Sequence, residues 1–560
     1  MIRLANHLNV DHCIASLLIQ RGVKDFDQSK AFFRPSLDDL HDPFLMKDMQ
    51  KAVNRIQKAI ENKEHILIYG DYDVDGTTSV ALLYSYLSES YSLVSTYIPD
   101  RYKEGYGVSY AGIDYAKSHN YSLIIALDCG IKAIDKVAYA KEKGIDFIIC
   151  DHHRPGLEIP DAIAVLDPKQ EDCPYPYKEL CGCGVGFKLI QALSQKSGKT
   201  TEDIIPYLDF VATAIGADIV PITGENRVLA HFGMKQINNA PRVGFKALTP
   251  PLDRPISMTD VIFKIAPRIN AAGRMEHASY AVEILIEQRL EKAMEMAQGI
   301  ETFNSSRKDL DKEITKAALE QIIKNKEEDN ASTVVYDPSW HKGVIGIVAS
   351  RLTETYYRPT LVFTKSGDKL AASARSVKGF DIYNALEACC DCIEQFGGHK
   401  YAAGLTLRAD QFMAFKEKFE KVVRETIDKH LLIPEIKVDL KIDFNDITPK
   451  FYRILKQFAP YGPGNAIPVF LTQNLIDTGG SRCVGQENAH LKLSLAQSDG
   501  VIFDGIAFGL GDKLPLLKNN QPVDILYTID ENYFNGKTSL QLIIRDIKPT
   551  ILNELNGSNP

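Results

Sequence analysis

The sequence predicts an α/β protein in which a parallel-sheet domain is joined by a long helix to a smaller α/β domain, with a β-barrel at the C-terminal end. Apolar runs of strand length at residues 66–69, 121–127 and 146–150 alternate with helical patterns, which is typical of βαβ units. A strongly helical, highly charged stretch covers residues 278–326. Beyond residue 436 the chain consists mainly of short segments with strand patterns.

These changes of pattern divide the chain of 560 residues into six segments. They are a helical N-terminal preface (1–50), the parallel-sheet domain (51–245), a connector with long helices (246–330), the second α/β domain (331–430), the barrel (431–550) and a disordered tail (551–560). Within the connector we expect the helix to break near Asn304-Ser305-Ser306.

The composition is that of a globular protein, with 45% hydrophobic and 25% charged residues. The net charge of -8 argues against a global attraction to nucleic acid but leaves room for a local basic channel. Ten cysteines lack the spacing of a disulfide framework, the N-terminus has no signal-peptide pattern, and no apolar run reaches membrane-spanning length. We therefore expect a protein of the reducing cytoplasm without a membrane partner.

The C-terminal pattern predicts an OB-like barrel, which is a common fold for binding single-stranded nucleic acid. The expected strands cover residues 436–442, 469–472, 489–495, 501–508, 523–530 and 539–547, and Asn535-Gly536 predicts a hairpin turn. One or two of its aromatic side chains are candidates for base stacking and the rest are expected in the core. These aromatics are Phe503, Phe508, Tyr527, Tyr533 and Phe534.

Three aspartates directly follow the first apolar run, at positions 71, 73 and 75. In an extended segment, residues two apart point to the same side, so Asp71, Asp73 and Asp75 would share one face. Carboxylates grouped in this way repel each other unless cations lie among them. After Gly76, the hydroxyl residues 77–79 are expected to cap a helix. The alternative is a polar turn with solvated aspartates.

Further potential metal ligands follow the other two strands and one helix. They are Asp128, Asp151, His152, His153 and Asp218. The carboxyl ends of parallel strands meet at one edge of a sheet, so we expect these side chains to converge. Oxygen and imidazole ligands suit Mn²⁺ or Mg²⁺ better than zinc, and two such ions could share a bridging carboxylate and activate a water for attack on phosphorus.

Basic and cysteine-containing segments give weaker signals. The loop 101–107 is cationic, aromatic and glycine-bearing; it could cradle a phosphate or be a solvated loop. Arg268, Asn270 and Arg274 lie among small residues and could contact phosphate or form ion pairs. The clusters at 181–183 and 389–392 are interpreted as buried thiols, with zinc fragments as the alternative.

The motifs GDYDVDG (70–76), LDCG (127–130), DHH (151–153) and GADIV (216–220) resemble, in this order, the four motifs of the DHH phosphoesterase superfamily. Further blocks resemble the RecJ single-strand-specific 5′→3′ exonucleases within it, and together they cover nearly the whole chain. These blocks are RYKEGYG (101–107), APRINAAGRM (266–275), WHKGVIGIVASRL (340–352), SARS (373–376) and GGHKYAAG (397–404). The resemblance implies a DHH domain and a DHH-associated domain that face each other across a cleft.

The resemblance also implies roles for particular residues. The metal ligands and catalytic residues would be Asp73, Asp75, Asp128, His152 and Asp218, with Asp128 as the bridge. His153 would be a ligand or contact the phosphate, Asp71 would be a weaker or outer ligand, and Asp151 would orient a histidine or cap the turn. The DNA contacts would be Arg101, Ser373 and Arg375 at the 5′-terminal phosphate, His399 near the scissile phosphate, and Arg268, Asn270 and Arg274.

By the same resemblance, the function would be 5′→3′ hydrolysis of single-stranded DNA with two Mn²⁺ or Mg²⁺ ions in recombination and repair. The products would be 5′-mononucleotides or short oligonucleotides. A single-strand binding protein and a RecQ-type helicase would be partners of a monomer. The polarity rests entirely on the resemblance. Two alternatives are a DHH phosphoesterase that cleaves small substrates and a non-catalytic DNA-binding scaffold.

Overall fold

The computed structural model describes residues 1–534 and 536–550. The tail at 551–560, expected to be disordered, lies outside these residues. The chain begins with three short helices, α1 (Ile2–Leu8), α2 (His12–Gln20) and α3 (Phe26–Phe33). A longer amphipathic helix, α4 (Met49–Glu61), leads into the first sheet with one apolar face fully buried.

The first sheet has five parallel strands in the order β2-β1-β3-β4-β5. The strands are β1 (His65–Gly70), β2 (Val94–Tyr97), β3 (Tyr121–Leu127), β4 (Asp146–Cys150) and β5 (Ala164–Leu166). The helices of this unit are α5 (Val74–Ser88), α6 (Tyr110–Ser118), α7 (Ile134–Glu142), α8 (Gly182–Lys196), α9 (Leu208–Ala217), α10 (Gly224–Asn239) and α11 (Val243–Leu248). The predicted parallel sheet is confirmed.

Helices cover both faces of this sheet, which explains its unbroken apolar runs. Ile66 and Ile68 of β1 share a core with α4, α5 and α8. Leu67 and Tyr69 point the other way and pack with α6 and α7. In such sheets, ligands bind at the carboxyl ends of the strands.

Helix α5 begins earlier than the sequence predicts. Its N-cap is Asp73, whose side chain accepts a hydrogen bond from the Gly76 amide at 3.0 Å, so the expected cap at residues 77–79 is wrong. Aspartate caps a helix as well as threonine or serine does, and Asp73 stands closer to the strand end. The expectation that Asp71, Asp73 and Asp75 share one face of an extended segment is therefore also wrong. Asp71 follows the strand, whereas Asp75 lies in the first helical turn.

The connector joins the first core and then extends as one continuous helix. Its elements are α12 (Met258–Asp260), a π-helical turn (Val261–Ile265), α13 (Ala266–Met275), α14 (Ser279–Ile286) and α15 (Leu290–Lys324). The predicted break near Asn304 is wrong, because Asn304 is buried within α15. The helical pattern is interrupted at residues 287–289 instead, where the Glu287 side chain accepts the backbone N–H groups of Gln288 and Arg289.

The second α/β unit contains a five-stranded mixed sheet in the order β6-β7-β8-β10-β9. Its strands are β6 (Thr333–Tyr336), β7 (Thr360–Ser366), β8 (Lys369–Arg375), β9 (Gln395–His399) and β10 (Ala402–Arg408), and its helices are α16 (Ile345–Tyr356), α17 (Ile382–Glu387) and α18 (Phe412–Thr426). Residues 397–399 pair as strand with residues 402–404. The turn follows at residues 400–401.

The C-terminal unit is a seven-stranded sheet in the order β11-β12-β16-β17-β15-β14-β13. An additional β12–β14 pairing curls it into a barrel, which confirms the predicted OB-like fold. It consists of β11 (Leu440–Lys441), α19 (Pro449–Lys456), β12 (Phe470–Asp477), β13 (Arg482–Val484), β14 (His490–Ala496), β15 (Ile502–Ala507), β16 (Val523–Phe534) and β17 (Lys537–Pro549). The long strand expected at 436–442 is reduced to two residues. The hairpin β16–β17 is present, although Asn535 in its turn lies outside the described residues.

The aromatics proposed for base stacking divide between core and surface. Tyr527 is fully buried and Phe503 packs edge-on against Phe444, so both belong to the barrel core. Phe508 and Tyr533 are 62% and 67% exposed and remain available to a ligand. The side chain of Phe534 lies outside the part of the chain that the structure describes.

The N-terminal helices pack on the barrel and form one hydrophobic cluster with it. Phe32 of α3 lies edge-on against Phe458, with ring centroids 5.2 Å apart. The buried Arg227 of α10 connects this cluster to the first sheet unit, because its guanidinium donates to the carbonyls of Phe32 and Phe458 at 2.9 Å each. The chain thus brings its two ends together beside the first unit.

Candidate metal centre and cleft

The acidic and histidine side chains predicted from the strand ends meet at the open edge of the first sheet. His152 Nε2 lies 3.2 Å from Asp128 Oδ1, 3.6 Å from Asp218 Oδ2 and 3.7 Å from Asp75 Oδ2. Two groups are compact enough to hold an ion, namely Asp128 with His152 and His153, and Asp75 with His152 and Asp218. The sequence-based expectation that these side chains converge is met in the fold.

Backbone strain accompanies this convergence. Asp128 has φ +60° directly after β3, and Ile219 has φ +59° directly after Asp218. A β-branched residue in the left-handed region is a conformational outlier, and such outliers gather at functional sites. The left-handed turn lets Asp128 leave the strand while its carboxylate stays beside His152.

The centre contains buried polar atoms that have no hydrogen-bond partner in the part of the chain that the structure describes. They are Asp128 Oδ1, both ring nitrogens of His152 and Asp71 Oδ2. A buried acceptor without a partner costs about 1–3 kcal/mol. Oxygen and imidazole donors left open in this way fit divalent ions such as Mn²⁺ or Mg²⁺.

The pKa values of the carboxylates also show that their negative charges are buried and close together. Burial, reinforced by the neighbouring carboxylates, raises the pKa of Asp71, Asp75, Asp128 and Asp218 above the usual range. Burial also lowers the pKa of His152 to about 3, so that this ring is neutral and able to act as a ligand. Cations would relieve the repulsion among these groups.

His153 differs from His152 because both of its ring nitrogens have partners. Nδ1 lies 2.7 Å from Asp151 Oδ1, and Nε2 lies 3.1 Å from the Tyr106 hydroxyl. Burial acts to lower the pKa of His153, but Asp151 outweighs it and raises the pKa to about 9. Asp151 also accepts the backbone amides of both histidines and of Ile131. Asp151 therefore orders the loop and holds His153 as a cation.

The start of α8 holds Asp75 in place, a contact that the sequence did not reveal. The amides of Gly182 and Cys183 donate to the two carboxylate oxygens of Asp75 at 2.6 and 2.8 Å. Gly182 also allows Asp128 to approach, since a Cβ on Gly182 would lie 2.6 Å from the Asp128 Cβ. The cysteine cluster at 181–183 is buried and reduced, and it serves as this helix start.

A group of arginines faces the metal centre from the neighbouring elements. Arg274 is surrounded by Arg101, Arg307 and Arg375, and burial together with these charges lowers the pKa of Arg274 to about 9. Arg101 lies over the Tyr72 ring at 4.6 Å, and Arg375 donates to Ser373 Oγ at 3.1 Å. Among the residues the structure describes, Arg101, Arg274 and Arg375 make no ion pair with a carboxylate. Cations gathered without acidic partners are suited to bind a phosphate.

This group, hereafter the arginine pocket (Arg101, Arg274, Arg307, Ser373 and Arg375), lies between the two α/β units. The Tyr102 hydroxyl donates to the Arg274 carbonyl at 2.6 Å, and Arg274 donates to the Gly343 carbonyl at 2.9 Å. Gly346 near the start of α16 lies against Ser373 and Arg375, where a Cβ would come within 3.0 Å of Ser373 Oγ. Neither unit forms the pocket alone.

The two α/β units and the barrel each match a known protein family. Residues 65–215 match the DHH family, N-terminal domain, residues 308–425 the DHHA1 domain and residues 438–546 the RecJ OB domain. The chain is 35% identical over 548 residues to the single-stranded-DNA-specific exonuclease RecJ of Bacillus subtilis, covering 97% of this chain and 69% of that protein. It is 32% identical over 569 residues to the corresponding protein of Haemophilus influenzae, covering 98% and 97%.

The chain belongs to the RecJ family.

A solved structure agrees with this assignment. The crystal structure of RecJ in complex with Mn²⁺ from Thermus thermophilus matches with a TM-score of 0.84 and 27% identity, over 98% of this chain and 77% of that chain. The fold class predicted from the sequence is therefore confirmed as the RecJ arrangement of DHH, DHHA1 and OB domains. Within the described residues, we find no helix with the length and apolar character to cross a membrane.

The remaining candidate DNA contacts of this RecJ-family chain lie in different surroundings. His399, at the end of β9, lines a cavity of about 240 Å³ together with Tyr106, Lys132 and His153. Asn270 is half-buried on α13. Arg268 forms an ion pair with Glu301 at 2.6 Å and donates to the Lys264 carbonyl, which is the structural alternative left open by the sequence.

Sequence reasoning missed two parts of the RecJ-family site. Arg307 was not singled out, because we expected the helix to break just before it, near Asn304-Ser305-Ser306, whereas α15 is continuous there. The amides of Gly182 and Cys183 gave no side-chain signal. The glycine repeat at 182, 184 and 186 at a helix start was the available hint of a close backbone approach.

Proposed function

We propose that this chain is a metal-dependent exonuclease that hydrolyses single-stranded DNA in the 5′→3′ direction. The observation that carries the proposal is the pairing of two sites in one cleft. A centre of carboxylates and histidines with open buried ligand atoms lies beside an arginine pocket in which, among the described residues, Arg101, Arg274 and Arg375 make no ion pair with a carboxylate. The relatives in the RecJ family are named single-stranded-DNA-specific exonucleases.

The arginine pocket would hold the 5′-terminal phosphate through Arg101, Ser373 and Arg375, with Arg274 and Arg307 adding charge behind them. A fixed terminal phosphate determines which phosphodiester lies over the metal centre, which makes the enzyme an exonuclease. We propose that Asn270 and Arg268 line the path of the strand, the latter after leaving Glu301.

Asp73, Asp75, Asp128, His152 and Asp218 would hold two ions, Mn²⁺ or Mg²⁺, and Asp71 would support them as a weaker or outer ligand. When bound, these ions would activate a water and neutralise charge on the scissile phosphate. His153 is protonated at neutral pH and is held by Asp151, so it can donate to a phosphate oxygen. His399 would contact the same phosphate from the DHHA1 side.

After hydrolysis, the shortened DNA strand can be bound and cleaved again. The water oxygen adds to phosphorus, the bond from phosphorus to the 3′-oxygen breaks, and the released nucleotide carries the 3′-hydroxyl. The shortened strand keeps the phosphate as its new 5′ end, which the arginine pocket can bind again. The products would be 5′-mononucleotides or short oligonucleotides. Exposed Phe508 and Tyr533 of the barrel would contact the strand further downstream.

The test compares single-stranded DNA labelled at either end, with Mn²⁺, for the wild type and for Asp128→Ala. We expect rapid release of short products from the 5′ end by the wild type and at least a 1,000-fold loss in the variant, as for removal of a group central to transition-state stabilisation, on the order of 4 kcal/mol. A 5′-hydroxyl substrate should be cleaved more slowly than a 5′-phosphate substrate. Release from the 3′ end, or equal rates for both proteins, would refute the proposal.

Two alternative functions have weaker support. A small-substrate phosphoesterase would have no use for the barrel, and a non-catalytic scaffold would have no use for a complete set of open metal ligands. A dinucleotide cleaved much faster than longer strands would favour the first alternative. Binding of DNA without cleavage at any metal concentration would favour the second.

The biological setting follows from the family resemblance. We propose that the chain works as a monomer in DNA recombination and repair, with a single-strand binding protein and a RecQ-type helicase as partners. Ten free cysteines support a reducing, cytoplasmic location. We also propose that the segments 1–50, 51–245, 246–330, 331–430 and 431–550 are its organisational units.

A further inference from the structure

The strand order of the first sheet arranges the site along a line. Parallel strands lie about 4.8 Å apart, so the residues that follow them are spaced along the open edge. In the order β2-β1-β3-β4-β5, the residues after the strands are Arg101, Asp71, Asp128, the pair His152 and His153, and finally Lys169. The arginine pocket therefore lies at one end, the metal centre in the middle and Lys169 at the other end.

The loop that carries Lys169 is firmly anchored. The Asp151 amide donates to the Leu166 carbonyl at 2.9 Å, which fixes the end of β5 beside the histidine pair. The Lys169 amide donates to Asp167 Oδ1 at 2.7 Å, and Gln170 Nε2 donates to the Val165 carbonyl at 2.8 Å. Lys169 thus projects from a constrained turn.

Lys169 lies close enough to the centre for its charge to act on His152 and Asp218, and it also lies near Asp167 of its own loop. It is half-buried, and no ion pair of Lys169 occurs among the described residues. Burial and then His153 lower the pKa of His152, and Lys169 adds to this effect. Burial, His153, Lys132 and Lys169 also lower the pKa of His399 on the opposite wall. Lys169 therefore acts on both walls of the cleft at its far end.

We propose that Lys169 binds the phosphate next to the scissile one on its 3′ side, as part of the retained strand. The inference rests on the proposed function, in which the 5′ phosphate occupies the arginine pocket and the scissile phosphate lies over the carboxylates. The strand must then leave past β4 and β5, and Lys169 follows β5 at this end of the sheet edge. This subsite determines a preference for substrates with at least three nucleotides.

The test uses substrates that differ by this single phosphate. A 5′-phosphorylated dinucleotide has the terminal and scissile phosphates only, whereas a trinucleotide adds the phosphate that Lys169 would bind. For Lys169→Ala, KM for the trinucleotide should rise about tenfold, the size of one charge-assisted contact, while KM for the dinucleotide stays within about twofold. The salt dependence of log KM for the trinucleotide should weaken by about 0.7, the value for one phosphate of a single strand.

Two further variants control for nonspecific effects. Lys169→Arg should retain most of the wild-type preference, since it keeps the charge. Lys132→Ala removes an exposed cation that also acts on His399 but follows β3 in the middle of the sheet edge. This variant should change KM for the dinucleotide and for the trinucleotide by the same factor. For Lys169→Ala, an equal loss for both substrates, or no loss for either, would overturn the assignment of Lys169.

Binding measurements separate this inference from the proposed function. Fluorescence anisotropy of labelled di- and trinucleotide with Ca²⁺ in place of Mn²⁺ reports binding without turnover. A trinucleotide affinity that does not depend on Lys169 would overturn the inference even if cleavage occurs. Affinity that depends on Lys169, combined with no cleavage in Mn²⁺, would support the subsite and contradict only the exonuclease proposal.

Discussion

Substituting Gly182 by alanine should weaken metal binding without unfolding the protein. The new Cβ would lie 2.6 Å from the Asp128 Cβ and 2.8 Å from Asp128 Oδ1. Carbon atoms pack at about 3.5–4.0 Å, so the helix start or Asp128 must move by roughly 1 Å. The same movement lengthens the bonds of 2.6 and 2.8 Å from Gly182 and Cys183 to Asp75. One substitution therefore disturbs two candidate ligands.

The expected loss of Mn²⁺ affinity follows from the hydrogen bonds to Asp75. A hydrogen bond to a charged group contributes about 1.5–3 kcal/mol, and a loss of about 2 kcal/mol corresponds to roughly a 30-fold weaker Mn²⁺ affinity. This lies within the roughly 10–100-fold range typical for groups that orient metal ligands.

Isothermal titration of the metal-free protein with Mn²⁺ measures this effect directly. Gly184→Ala is the matched control, because it lies on the same helix and its Cβ would meet nothing closer than 3.4 Å. Thermal unfolding of both variants checks that the fold is kept. A Gly182→Ala affinity within twofold of the wild type would refute the reasoning, as would an equal loss in Gly184→Ala.

Two further predictions concern stability. The metal-free protein should lose stability as pH rises from about 5 to about 8, because burial and then neighbouring carboxylates raise the pKa of Asp71 and Asp218 to about 8. In that pH range the folded chain retains protons that the unfolded chain has released, and each unit by which a pKa is raised costs about 1.4 kcal/mol of stability. The lowered pKa of His152 acts in the opposite direction below pH 6.5 and offsets only part of this loss. Thermal unfolding scans measure this loss, and saturating Mn²⁺ should reverse the dependence on pH. Higher stability at pH 8 than at pH 5 in EDTA would contradict this. Arg227→Met should lower the free energy of unfolding by about 2–4 kcal/mol, because the carbonyls of Phe32 and Phe458 lose their hydrogen-bond donor. Denaturant titration measures this loss. The control Lys235→Met changes an exposed residue on the same helix and should have little effect. Equal effects of the two substitutions would show that Arg227 does not join the two units.

The differences between sequence and structure have identifiable causes. The start of α5 was misplaced because Asp73 and the hydroxyl residues after Gly76 are equally good caps, and local propensity does not choose between them. The break expected at Asn304 fails because tertiary packing buries that side chain within α15. The packing of α1–α3 on the barrel was not predicted, because a contact such as Phe32 with Phe458 leaves no local pattern.

The parallel sheet and the chemistry at its edge are encoded in local sequence patterns. Apolar runs ending in Asp128 and in the pair His152 and His153 specify both the strands and the candidate ligands, because period, burial and strand ends are local properties. By contrast, the contact between Asp75 and the start of α8, 107 residues further along the chain, depends on tertiary folding. Tertiary folding also assembles the arginine pocket from distant segments and aligns it with Lys169. Such contacts depend on the path of the whole chain, which no local pattern encodes.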